Sequence, residues 1–184
     1  MLRNTLSRFG SITKFLHWSL FALVCVQFYL IWQRSLFPKD APEKTSLILT
    51  HKSIGITILG LAFLFWLWKA INVKPALPHQ ARWEYILAKI VQHSLLIIIV
   101  LMPITGFLLS NAGGRPTLYF GLFEIPAIIG PNKELAGIFD AMHETFAYLI
   151  VFLVSLHIIG ALRHHFLLKD NVFKRMLPFY KGKE

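Results

Sequence analysis

Long apolar runs separated by short polar stretches dominate the chain. Four of them, about 12–33, 46–71, 83–110 and 138–165, are each long enough to cross a hydrocarbon core, which takes roughly 20 helical residues. The pattern predicts an all-α membrane protein, a four-transmembrane-helix bundle forming one domain over residues 1–184. The first run continues past Trp18 and Cys25 to about Trp32 without a small-residue cleavage site, so it is expected to stay as a helix and not be removed as a signal peptide. The longest connection, 111–137, is rich in aromatics, Gly113, Gly114, Pro116, Pro126 and Pro131, and is expected to fold over the outer mouth of the bundle. The tail at 173–180 mixes bases with apolar residues and is expected on the cytoplasmic lipid surface.

Composition agrees. With 184 residues, 55% of them hydrophobic, the chain is too apolar for a soluble domain of this length. A net charge of +10 invites a nucleic-acid reading, but the charges sit at the ends of the apolar runs, where they act as topology determinants. No nucleic-acid partner is expected; the partner is the bilayer. Thirteen of the 19 Lys and Arg residues, among them Arg3, Arg8, Lys14, Lys69, Lys74, Arg163 and Arg175, belong to one side. The other side holds Arg34, Lys39, Lys44, Lys52, Arg115 and Lys133, offset by five acids. Both termini are therefore expected to be cytoplasmic. The single cysteine, Cys25, excludes an internal disulfide and a covalent c-type haem, and reads as a small buried hydrophobe.

Ionisable residues within membrane helices are costly and commonly functional. Five of the eight histidines fall within the apolar runs: His17, His51, His93, His143 and His157. Deep carboxylates, which a proton or cation path needs, are nearly absent. A cofactor that takes neutral imidazoles has no such need. His143 and His157 are fourteen residues apart, nearly four turns, so they share a face about 21 Å apart along the axis. Ala147, Val154 and Ala161 between them are small enough to leave room for a flat group. Two porphyrins stacked through the membrane, each with two axial imidazoles, match this pattern. Matching the depths pairs His17 with His157 and His51 with His143, as metal ligands of two haems b. Gly55, one turn from His51, is expected to give the outer porphyrin space. His93 shares the inner depth and reads as a supporting residue or part of a quinone pocket; His79 lies in a loop, and His165 is expected to face the interface. His143-Glu144 begins like a zinc-protease helix, but Ala147 stands where its second histidine belongs.

The chain resembles the bacterial cytochrome b561 family over nearly its whole length. The resemblance is carried by Phe15-Leu16-His17-Trp18, Leu49-Thr50-His51, Met102-Pro103-Ile104-Thr105-Gly106, Met142-His143-Glu144-Thr145, and Leu156-His157 followed by His164-His165 and Lys169-Asp170-Asn171. Related cytochrome subunits share the two histidines fourteen apart on the last helix, which favours His17 over His93 as inner ligand. The resemblance implies a superoxide oxidase, an oxidoreductase taking electrons from periplasmic superoxide and delivering them to ubiquinone. Under that reading Lys52 and Arg115 attract the anion to the outer haem, and His164 bonds a quinone carbonyl near the inner haem with Trp18, His93 or Arg163 nearby. Two other classes use the same residues: a membrane cytochrome fed by a redox protein partner, and a haem-free transporter.

Overall fold

A computed structural model describes residues 1–38, 40–76 and 81–180. Its helices are α1 (Ser11–Leu36), α2 (Pro42–Ile71), α3 (Arg82–Ala112), α4 (Lys133–Phe166) and a short α5 (Val172–Met176). All four long helices are apolar and long enough to cross a membrane. Local chemistry sets their ends. Pro42 opens α2, where its missing N–H costs nothing. The Asn132 side chain caps α4 by accepting from the Leu135 N–H at 3.0 Å. These two devices start α2 and α4 several residues before the apolar runs do, because a helix begins at its cap and not at the hydrocarbon.

Between α3 and α4 the sequence forms a small antiparallel hairpin, β1 (Thr117–Tyr119) and β2 (Phe123–Ile125), with Thr117 paired to Ile125. Apolar periodicity did not foretell it, since three-residue strands are too short to show a period. Gly121, at φ 73, takes the left-handed conformation its tight turn requires. The hairpin docks on α2 through Ser53, which is 0% exposed. The Ser53 hydroxyl accepts from the Phe120 N–H at 2.8 Å and lies 3.1 Å from the Leu118 carbonyl. The loop thus packs back onto α2 and α3 at one end of the bundle.

The N-terminal segment and the tail as far as Tyr180 gather at the opposite end, called here the termini end. There the tail is bonded to α1. Trp18 Nε1 donates to the Met176 carbonyl at 2.8 Å, and Lys14 Nζ donates to the Tyr180 carbonyl at 2.9 Å. The tail is thus strapped across the end of α1. Arg163 pairs with Glu84 at 2.7 Å and ties α4 to α3.

Packing is sequential. α1 lies along α2, α2 against α3, and α3 along α4. Leu16, Leu20 and Leu30 of α1 meet Ile54, Ile58, Ala62 and Phe65 of α2 in the main core. Among the described residues α4 makes no extended packing with α1 or α2, so a slot runs between them. Large apolar side chains cover the outside, Phe152 at 59% exposure and Trp66 at 57% among them, as a lipid-facing surface requires. Cys25 is on that surface and not buried as expected, because α1 packs on one side only.

Candidate functional site

Two histidine pairs face each other across the slot. At the termini end the rings of His17 and His157 have centroids 6.0 Å apart, with planes at 55°. At the hairpin end those of His51 and His143 are 6.2 Å apart, at 81°. Ile150, half-way between the two levels on α4, is buried and separates them. A metal–imidazole bond of about 2 Å places the centroids of two opposed axial rings roughly 6 Å apart, so each pair suits one six-coordinate iron. Among the described residues no three His, Cys, Asp or Glu side chains converge. The histidines meet in twos, as axial ligation needs, and not in the threes or fours of a zinc site.

Each ring is held differently. His143 Nδ1 lies 3.1 Å from the Met102 carbonyl and 3.3 Å from Thr105 Oγ1. A Cβ on Gly106 would sit 2.8 Å from His143 Cε1, so only glycine lets α3 approach this ring. The Met102–Gly106 stretch thereby acquires a physical role: it orients His143 and frees its Nε2 for the slot. On α2, the His51 carbonyl accepts from Gln27 Nε2 at 3.0 Å. The space beside Gly55 is taken by that same Gln27, 3.3 Å from where a Cβ would be, so Gly55 makes room for α1 and not for a slot occupant. At the other level Trp18 stands edge-on to His17, with centroids 5.5 Å apart.

The remaining candidates spread over both ends. Lys52, beside His51, donates to the Pro116 carbonyl at 2.8 Å and so ties α2 to the loop; Arg115 next to it is exposed. His164 Nδ1 meets Asp170 Oδ2 at 2.6 Å, and Asp170 Oδ1 accepts from the Val172 N–H at 2.9 Å, linking α4 to α5. His165 packs on Phe173 and Phe166, with Nδ1 buried and unpartnered. It therefore faces α5. His93 is exposed on the outside of α3, and its Nδ1 contacts the Lys89 carbonyl at 2.7 Å. His17, not His93, is the ring opposite His157. His79 lies outside the described residues.

The model of the prokaryotic cytochrome b561 family matches residues 8–179. This chain belongs to that family. It is 33% identical over 181 residues to cytochrome b561 homolog 2 of Escherichia coli K12, covering 95% of this chain and 93% of the relative. Cytochrome b561 homolog 1 of the same organism is 28% identical over 94% of this chain and 98% of its own. A probable superoxide oxidase, CybB of Yersinia pestis, is 29% identical over 91% and 94%. Membership makes the protein a multi-pass bacterial inner-membrane cytochrome that carries electrons with haem b, as the sequence led one to expect. Thr105, Gly106, Gln27 and Asp170 were not singled out from sequence for any role. Only the stretches containing Thr105, Gly106 and Asp170 stood out, as family markers.

Proposed function

We propose that this cytochrome is a superoxide:ubiquinone oxidoreductase with two haems b, one held by His17 and His157 and the other by His51 and His143. The two facing pairs at 6.0 and 6.2 Å, stacked along α4, carry this reading. In balance, two superoxide anions, one ubiquinone and two protons give two dioxygen molecules and one ubiquinol. Haem b, when bound, supplies one-electron carriage, and the protein sets its position, ligands and polarity.

The chain's own residues do the rest. In this reading the termini end, where most Lys and Arg residues lie, faces the cytoplasm and the hairpin end faces the periplasm. There the Lys52 ammonium, fixed by Pro116 beside His51, and the exposed Arg115 present positive charge to an incoming anion. At the cytoplasmic end a quinone takes up protons as it is reduced. His164 is oriented by Asp170 through Nδ1, which leaves Nε2 to hand a proton to a quinone carbonyl. His93, exposed on the outside of α3, flanks the route proposed for a lipid-soluble quinone. Trp18 contributes its ring and not its N–H, which is already bonded to Met176.

The test is the absorption spectrum of the purified oxidised protein before and after a burst of superoxide. Reduced b-type bands within the burst, two haems per chain and ubiquinol as product are the expected result. Bands that appear only with dithionite would overturn the donor and point to a redox protein partner. An absence of haem bands under both conditions would overturn the whole assignment.

A further inference from the structure

A ligating histidine usually donates its second ring N–H to a fixed acceptor, which sets the ring's orientation and raises its basicity. His143 has such a group in the Met102 carbonyl. His51, opposite it, has no such bond made: the Gln27 main chain lies near its imidazole, but its buried Nδ1 is without a hydrogen-bond partner. One other buried atom in the same neighbourhood is also unpaired. Gln27 Oε1 has no partner, while Nε2 of the same amide donates to the His51 carbonyl at 3.0 Å. That bond decides which way the amide points, since only the nitrogen can donate to a carbonyl; the remaining atom is an acceptor. A buried donor and a buried acceptor left unpaired on two residues already joined by one hydrogen bond are both costly, and a hydrogen bond between them would offset that cost.

We infer that Gln27 of α1 is the positioning residue for His51: with His51 ligating through Nε2, Gln27 Oε1 accepts the Nδ1–H, directly or through one water. The inference rests on the two-haem reading above. It makes α1 a contributor to both haem levels, through His17 at one and Gln27 at the other. Gln27 itself touches neither haem nor substrate. It acts through the imidazole, by turning its plane and by making it more electron-rich, which favours the ferric state.

The experiment is a redox titration of the intact, haem-loaded protein, with low-temperature electron paramagnetic resonance of the ferric haems, for wild type, Gln27→Leu and Gln27→Glu. Gln27→Leu removes the acceptor and should raise the midpoint potential of one haem only and move that haem's low-spin ferric signal. Gln27→Glu keeps an acceptor and adds charge, and should shift the same haem the opposite way. Should Gln27→Leu fail to accumulate, Gln27→Glu and Gln27→Asn still report the sign. Unmoved potentials and signals with both haems retained would overturn the inference while leaving the two-haem reading intact. A wild type with fewer than two haems would overturn the reading itself.

Discussion

The two ends of the bundle present the same motif, a histidine of α4 facing one from the first helical pair, but they are closed by different means. At the hairpin end the lid is the loop between α3 and α4, a local connection that reaches back to α2 through the buried Ser53 and the Lys52–Pro116 bond. At the termini end the lid is a tail remote from α1 in sequence, fastened by Trp18 to Met176 and Lys14 to Tyr180. The ring supports differ as well. His143 is wedged against Gly106 and held by Met102 and Thr105, whereas His17 leans edge-on against Trp18. Under the proposed function the two ends divide the labour: a small anion meets fixed charge at the hairpin end, and a bulky quinone arrives from the lipid at the strapped end.

The sharpest way to break this comparison is to remove one histidine at a time. His51→Ala should lower the haem-to-protein ratio by about half and leave the termini-end haem reducible; His17→Ala should do the converse. A pyridine haemochrome assay checks both, and loss of all haem from either variant would show that the two ends do not act separately. Next in size is Gly106→Ala. Its Cβ would come within 2.8 Å of the His143 ring, so the hairpin-end haem should be lost or weakly held. The matched control is Gly60→Ala, whose Cβ meets nothing within 4 Å; haem content should be unchanged and helix stability should rise by up to about 1 kcal/mol.

A third comparison concerns charge. Lys52→Gln combined with Arg115→Gln should slow reduction by superoxide about tenfold or more at low ionic strength and flatten its salt dependence, read by stopped-flow absorbance. Equal rates at low salt would remove the cationic mouth from the mechanism. The smallest effects sharpen the account of the lids. Ser53→Ala should destabilise the hairpin by about 1–3 kcal/mol, seen as faster amide exchange at Phe120. Trp18→Phe should loosen the tail by about 1 kcal/mol and quicken proteolysis around residues 167–172, without affecting the hairpin end.

Much of this was legible in the residues. Twenty apolar residues in a row can do little but span a bilayer, so the four helices follow from solvation alone. Depth was equally accessible: 1.5 Å per residue in a helix of known ends locates each histidine along the membrane normal. Azimuth was not. His93 and His17 lie at similar depths, yet one faces outward and the other faces His157, a rotation decided by which side of α3 packs on its neighbours. Gly55 shows the same limit, since its missing side chain admits Gln27 and not a slot occupant.

By itself, then, the sequence determined how many helices cross the membrane, at which levels the imidazoles lie, and that they come in pairs, because hydrophobic length and helical rise are properties of each segment alone. Only the tertiary structure decided what surrounds the histidines: the carbonyl of Met102 and the space at Gly106 beside His143, the amide of Gln27 on the His51 carbonyl, and the carboxylate of Asp170 on His164. Three of these four reach their histidine from another helix or from the turn beyond it, and Gly106 does so by what it lacks. Such contacts depend on how helices rotate and close upon one another, which no single segment's periodicity encodes.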